Sequence, residues 1–102
     1  FAALERDNQG GPDAAVKRVY SFDVTGVTFL DATQVAAFPV LTKTLDVDLL
    51  VAGTFAPFGG FVPEKVEGLA VTSDGTALIV NDNDGVDDNS GETLLIELSD
   101  LF

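Results

Sequence analysis

The sequence predicts an all-β protein built from antiparallel meanders, and three kinds of pattern lead to that prediction. Several segments alternate apolar and polar side chains with the period of two that is typical of strands. Short runs rich in Gly, Asp and Asn separate these segments, as expected for the turns of hairpins. One stretch of sequence also recurs along the chain, which indicates a repeated sheet.

The first meander is predicted in residues 1–26. Residues 1–5 form a short apolar run, and residues 7–13, D-N-Q-G-G-P-D, are dense in turn-forming residues. The segment that follows alternates in the manner of a strand with an apolar face. One side carries Val16, Arg18, Tyr20, Phe22 and Val24, and the other carries Lys17, Val19, Ser21 and Asp23. We therefore expect a hairpin here.

The second meander is predicted in residues 65–102. Residues 68–72 and 76–80 flank the turn sequence Ser73-Asp74-Gly75, in which Gly75 supplies the positive φ that a short hairpin loop requires. A polar loop over residues 82–92 then leads into a third strand at residues 93–98. These three strands are expected to pair in sequence order.

Between the two meanders, residues 27–64 are predicted to form an insertion and a loop. Asp31 and Gln34 have the spacing of an N-cap and its capping-box partner, which predicts a short helix in the 28–40 region, ended by Pro39. Residues 41–49 alternate apolar and polar side chains and favour a strand, although residues 48–52 also fit the start of a helical turn. Residues 53–63 are rich in Gly, Pro and Phe and are expected to form a loop.

The repeat suggests a specific architecture. The sequence A-L-E-R-D-N at residues 3–8 is similar to L-I-V-N-D-N at residues 78–83, and a Gly- and Asp-rich loop and another strand follow each of them. This period of about 75 residues exceeds the roughly 40 to 50 residues of an ordinary propeller blade. The insertion at 27–64 explains the excess. We therefore predict about two incomplete blades of a β-propeller, with residues 1–26 ending one blade and residues 65–102 beginning the next.

Each predicted blade lacks a strand: the first lacks its innermost strand, and the second lacks its fourth. Unpaired sheet edges are prone to aggregation, and a propeller blade is stabilised by its neighbours. We therefore expect the chain to assemble with other fragments or chains of the same precursor, which would complete the propeller.

The composition narrows the classes of partner and of chemistry. The chain has 17 acidic and 5 basic residues and a net charge of −12, which disfavours nucleic acid as a partner, because phosphate backbones require clustered Lys and Arg. Cations fit this charge, although the charge also serves solubility. The absence of Cys and His excludes thiolate and imidazole zinc sites and His-dependent catalytic pairs within the chain. No apolar run is long enough to span a membrane.

Three motifs carry a resemblance to a known family: K-V-E-G-L-A at residues 65–70, S-D-G at 73–75 and V-N-D-N-D at 80–84. In this order and spacing they resemble the signature of the family named for the esterase-like activity of phytase, a bacterial phytase-like domain. Residues 4–7 and 17–23 resemble the preceding blade of that family. The resemblance implies a secreted or periplasmic β-propeller, of which residues 1–102 would be the C-terminal portion.

The same motifs predict a metal site. Glu67 at the start of one strand and Asn81, Asp82 and Asp84 at the end of the next would meet near one rim of the propeller. Oxygen ligands of this kind suit Ca²⁺. The chain is similar, more loosely, to calcium-dependent propeller phytases, in which metal ions help to hold phosphate. The alternative for Glu67 is a structural role, in which it accepts hydrogen bonds from backbone amides.

Two basic residues, Arg6 and Lys65, lie in corresponding motif regions. Arg6 and Lys65 would hold an anionic substrate oxygen beside the metal, or they would form salt bridges to Glu5 or Glu67 and position those carboxylates. The catalytic residues are not identified by the sequence, and without His a hydrolase would use metal-activated water and a carboxylate base. Two functions follow: a calcium-dependent phosphoester or ester hydrolase completed by residues outside the chain, or a non-enzymatic extracellular binding or assembly module with structural calcium.

Overall fold

Six strands form two antiparallel sheets in the computed structural model, which describes residues 1–83 and 92–102, without the side chains of residues 35–37. The strands are β1 (Ala2–Arg6), β2 (Lys17–Ser21), β3 (Thr44–Asp48), β4 (Val66–Val71), β5 (Ala77–Asn81) and β6 (Leu95–Leu98). The sheet orders are β1-β2-β3 and β4-β5-β6. The predicted all-β fold of antiparallel meanders is confirmed, and the two sheets have the form of partial propeller blades. None of the helices in the described ranges has the length and hydropathy to span a bilayer.

The first sheet begins with the predicted hairpin. Leu4 of β1 lies opposite Val19 of β2, and Arg6 lies opposite Lys17. β3 then pairs antiparallel with β2, so the strand predicted over residues 41–49 forms from Thr44 to Asp48. Since β3 lies within the range 27–64, the first sheet extends beyond residue 26.

The two sides of β2 have unequal burial. Lys17 and Val19 are fully buried, whereas Arg18 and Tyr20 are only half-buried. The buried side of the strand is therefore the one that carries a lysine, and the alternation of the sequence did not identify it. On the other side of the sheet, Arg18 Nε donates a hydrogen bond to Asp48 Oδ2 at 2.7 Å. There, Lys43 Nζ lies 4.1 Å from the centre of the Tyr20 ring, in the arrangement of a cation–π interaction.

The second sheet contains a tight turn and a β-bulge. Gly75 has a φ of 86° in the turn between β4 and β5, as the sequence predicts. At the opposite end of this hairpin, Val66 pairs with Asn81 and Gly68 pairs with Val80, which leaves Glu67 as the extra residue. A Cβ atom on Gly68 would lie 2.3 Å from Val80 Cγ2. Gly68 is therefore the residue that allows the two strands to approach each other next to the bulge.

The helical segments are short 3₁₀ turns at Gly11–Asp13, Ala32–Ala37 and Ala56–Phe58. The predicted capping box is present, because Asp31 Oδ1 accepts a hydrogen bond from the Thr33 amide at 2.9 Å and Gln34 Oε1 accepts one from the Asp31 amide at 3.1 Å. The backbone of Gln34 departs from helical geometry. The short helix predicted in this region is thus a broken 3₁₀ segment rather than an α-helix.

One hydrophobic core joins the two sheets. Its buried members are Val19, Leu49, Phe55, Val66, Ile79 and Ile96. Leu49 and Phe55 come from the range 27–64, so this range contributes core residues as well as β3. Leu4, which is partly buried, also packs against the core, and it occupies the position in the repeat that corresponds to Ile79. The repeat therefore places equivalent apolar residues in one core.

Candidate functional site

Several of the predicted site residues lie at one end of the two sheets. Arg6 is the last residue of β1, Glu67 is the second residue of β4, and Asn81 is the last residue of β5. The backbone amide of Asp82 donates a hydrogen bond to the carbonyl oxygen of Lys65 at 2.7 Å. The pairing of β4 with β5 therefore brings residues 65–67 next to residues 81–82.

Arg6 and Glu67 form an ion pair that joins β1 of the first sheet to β4 of the second. Arg6 Nη2 donates to Glu67 Oε1. The Glu67 side chain is 41% exposed and that of Arg6 is 22% exposed, so solvent reaches both groups. Bulges commonly redirect a side chain at the edge of a sheet. Glu67 is the extra residue of the bulge in β4. Of the alternatives for Arg6, the salt bridge to Glu67 is present.

The guanidinium group of Arg6 is also anchored to the loop that follows β1. Its Nη1 donates to Asn8 Oδ1 and, at 3.3 Å, to the carbonyl oxygen of Asp7. One nitrogen therefore contacts the protein's own loop while the other contacts Glu67. The loop fixes where the positive charge of Arg6 lies.

A buried lysine holds this loop in turn. Lys17 Nζ, at the start of β2, donates to Asp7 Oδ1 at 2.6 Å, to the Asp7 carbonyl oxygen at 3.2 Å and to the Gln9 carbonyl oxygen at 2.8 Å. Its side chain has no exposed surface. The sequence motifs do not point to Lys17, although a lysine within a strand that also contributes Val19 to the core is unusual. The structure identifies it as the residue that closes the loop.

The Asp7 carboxylate accepts two further hydrogen bonds besides the one from Lys17. Its Oδ2 accepts hydrogen bonds from the backbone amides of Ala15 at 2.7 Å and Val16 at 3.0 Å. Burial disfavours the charged form, but the hydrogen bonds from Lys17 and the two amides, together with the charge of Lys17, outweigh it. They hold the pKa of Asp7 well below its usual value.

This low pKa predicts a pH dependence of stability. Because the pKa of Asp7 is lower in the folded chain than in the unfolded chain, its contribution is complete above the unfolded pKa of about 4 and is lost as the pH falls toward the folded value. We expect Asp7→Asn to reduce the slope of the unfolding free energy against pH between about pH 5 and about pH 2. The reduction should be at most the slope that the binding of one proton contributes. Urea denaturation at a series of pH values measures this slope. Equal slopes in the two proteins would contradict the prediction.

Asn81 closes the corresponding loop after β5. Its Nδ2 donates to the carbonyl oxygen of Glu92 at 3.1 Å, and its Oδ1 accepts from the Leu94 amide at 2.6 Å. The residue is 7% exposed. Both polar atoms of this side chain therefore fasten the far end of the loop, and the two loops of the repeat are closed by different groups, an ammonium in one and an amide in the other.

The fit of these residues to calcium depends on their donor chemistry. Glu67 and the exposed Asp82 provide carboxylate oxygens, which Ca²⁺ binds together with backbone carbonyls and water. Within residues 1–83 and 92–102, no three acidic side chains are grouped as a metal site. Asp84, the remaining candidate, lies outside the described residues. The donors present fit calcium in type, and they would be part of a larger ligand set.

A crevice of about 700 Å³ lies at the opposite end of the strands. Its lining includes Phe1, Ala2 at the start of β1, Phe22 after β2, Val71 at the end of β4, and Phe102. It contains none of the predicted site residues. The polar end of the sheets, where Arg6 and Glu67 meet, is therefore the better candidate for a functional site.

Comparison with known protein families gives a match over most of the chain. A family model described as Phytase-like, esterase-like activity of phytase, matches residues 1–85. This range includes Arg6, Lys17 and Glu67 and the strands β1 to β5. No curated protein and no solved structure matches the chain.

Proposed function

Because this chain belongs to the phytase-like family, esterase-like activity of phytase, we propose that it is part of a secreted or periplasmic calcium-binding β-propeller that hydrolyses phosphoesters or esters. The single observation that supports it best is the meeting of Arg6 and Glu67 at one end of the two sheets.

This pair has the charges that binding of a phosphoester to a metal site requires. A guanidinium group donates paired hydrogen bonds to phosphate or carboxylate oxygens, so Arg6 would orient an anionic substrate. Glu67 and Asp82 would hold calcium, with Asp84 as a further candidate. Lys65, whose carbonyl oxygen accepts from the Asp82 amide, lies close enough in the chain to add positive charge near the substrate. Asn81 would keep the acidic loop closed.

Bound calcium would supply a Lewis acid that polarises the substrate and lowers the pKa of a water molecule. The chain contains no His, so proton transfer would depend on a carboxylate or on water. Lys17 keeps the Asp7–Gln9 loop in place and so fixes Arg6 on its side of the site. The remaining catalytic groups would come from other parts of the same precursor.

The edge strands of the two sheets support the proposal that other parts of the precursor complete the site. β3 and β6 are each an edge strand of their sheet, as are β1 and β4, and Leu95 of β6 is 61% exposed. An exposed apolar residue on an outer strand is suited to contact with another sheet. We therefore include in the proposal that other fragments or chains of the same precursor complete the propeller.

A non-enzymatic role is the second candidate: an extracellular binding or assembly module with structural calcium. The internal closure of both loops favours it, because Lys17 and Asn81 stabilise the loops without any substrate. The state of Glu67, already paired with Arg6, also fits a structural ion pair. The two candidates differ in turnover and in whether a bound calcium ion leaves room for substrate.

Hydrolysis assays on the full precursor test the proposal. We expect turnover of p-nitrophenyl phosphate, phytate or p-nitrophenyl acetate with calcium, and its loss with a chelator. Glu67→Gln is expected to lower the rate at least about tenfold, because it removes a carboxylate from the metal. Glu97→Gln, an exposed change on β6, is the matched control and should leave the rate unchanged. Calcium binding without turnover on any of these substrates would favour the non-enzymatic module.

A further inference from the structure

Arg6 and Glu67 are hydrogen-bonded to each other, although in the proposed function Arg6 would bind an anionic substrate and Glu67 would bind calcium. We infer that Arg6 and a divalent cation compete for Glu67, and that the site therefore takes up its cation together with an oxyanion of the phosphate class. This inference rests on the proposed function and adds a form of regulation to it: the carboxylate of Glu67 stays paired with Arg6 until both ligands are present.

The geometry creates the competition. Arg6 Nη2 donates directly to Glu67 Oε1, so a cation bound to this carboxylate would lie close to a guanidinium of the same sign. Two like charges at such separations repel each other. A cation would therefore bind Glu67 well only if Arg6 moved away or if an anion lay between the two positive charges.

The exposure of the pair makes the exchange feasible. The side chains of Arg6 and Glu67 are 22% and 41% exposed, and ion pairs in contact with solvent contribute little net stability. A divalent cation that also binds other oxygens would thus displace the guanidinium at small cost. The contact is suited to opening and closing rather than to permanent structure.

The second anchor of Arg6 determines where the group remains after release. Its Nη1 is held by Asn8 Oδ1 and the Asp7 carbonyl oxygen, and the buried Lys17 fixes that loop. The guanidinium therefore stays beside Glu67 when Nη2 is freed. An oxyanion that bridged the cation and Arg6 would then receive the donor that Glu67 gave up.

Linkage makes this inference measurable. If an anion strengthens cation binding, the cation must strengthen anion binding by the same factor. We expect phenylphosphonate, a phosphate-like anion that is not hydrolysed at its P–C bond, to tighten Ca²⁺ binding about fivefold. Without the anion, Arg6→Gln is expected to tighten Ca²⁺ binding about fivefold, since the competitor is gone, and phenylphosphonate should then have no further effect.

The experiment is isothermal titration of CaCl₂ into the full precursor, with and without phenylphosphonate, and the reverse titration. Glu67→Gln is the complementary variant: it should weaken Ca²⁺ binding and, because Arg6 loses its carboxylate partner, strengthen phenylphosphonate binding in calcium-free buffer. Arg18→Gln is the matched control, since Arg18 pairs with Asp48 rather than Glu67, and both affinities should stay at the wild-type values. Circular dichroism of each variant verifies that it is folded.

The outcomes separate the inference from the function on which it rests. If Ca²⁺ binds but neither Arg6→Gln nor phenylphosphonate changes its affinity, the competition is refuted and the calcium site stands. If Glu67→Gln leaves phenylphosphonate binding as it was, Arg6 is not released and the inference is likewise wrong. Failure of every protein to bind Ca²⁺ would overturn the proposed calcium site and the competition together.

Discussion

Replacement of Lys17 by Met is expected to lower the free energy of unfolding by about 3–5 kcal/mol, the usual cost of removing one partner of a buried ion pair. The Lys17 side chain has no exposed surface and its Nζ donates to three oxygens. Methionine would fill a similar volume but would leave Asp7 Oδ1 and the Gln9 carbonyl oxygen without this donor. Urea denaturation followed by circular dichroism measures the change.

Lys43→Met provides the control for this prediction. Lys43 also pairs with a carboxylate, that of Glu5, but its side chain is 44% exposed. Its loss should therefore cost less than about 1 kcal/mol. The double variant Lys17→Met, Asp7→Asn should be more stable than the sum of its single changes implies, because it no longer carries an unpaired charge at Asp7. If Lys17→Met lowered the free energy of unfolding by less than about 1 kcal/mol, the buried ammonium group would not be needed for stability.

Replacement of Ile79 by Ala is the second change with a large expected effect. Ile79 lies at the centre of β5, is fully buried and belongs to the core that joins both sheets. Its truncation removes apolar contacts and leaves a cavity, which typically costs about 2–5 kcal/mol. The same urea titration measures it, and a loss of cooperativity would indicate that the two sheets had separated.

Leu95→Ala is the matched control for Ile79→Ala. Leu95 lies in the neighbouring strand β6 but is 61% exposed, so the truncation should change the free energy of unfolding by less than about 1 kcal/mol. Equal effects of the two substitutions would contradict the assignment of Ile79 to the core. If Leu95→Ala lowered the free energy of unfolding only in the full precursor, this would instead indicate that another sheet covers Leu95 there.

Local patterns were sufficient to predict most of the fold. The alternation of residues 41–49 predicted β3, the S-D-G sequence predicted the turn at Gly75, and Asp31 with Gln34 predicted the capping box. Each of these features depends on neighbours within a few residues. The type of helix after Asp31 was not predicted, because capping chemistry is the same for 3₁₀ and α-helical turns.

Long-range packing was harder to predict. The range 27–64 was expected to be an insertion and loop, yet it also carries β3, Leu49 and Phe55 into the first sheet and the core. No local sequence pattern indicates that β3 pairs with β2. The buried side of β2 was equally hidden, because Lys17 lies on it and its burial depends on Asp7 and Gln9 across the hairpin.

The candidate site was predicted through the motifs rather than through periodicity. Arg6 and Glu67 were selected because they lie in corresponding or family-like stretches, and the structure brings the two into contact. Asn81 was selected as a ligand, and the structure uses its amide to close the loop between β5 and β6. That role was not visible in the sequence, because its partners are backbone atoms more than ten residues away.

The location of Tyr20 in the first sheet determines which part of the protein its fluorescence reports. The chain has one Tyr and no Trp, so its tyrosine fluorescence arises from a single ring in β2, on the outer side of the first sheet. The second sheet contributes nothing to that signal, whereas far-ultraviolet circular dichroism reports strands in both. Coincident transitions by the two methods would mean that the sheets unfold as one unit. Separate transitions would give the stability of each sheet from one unlabelled sample.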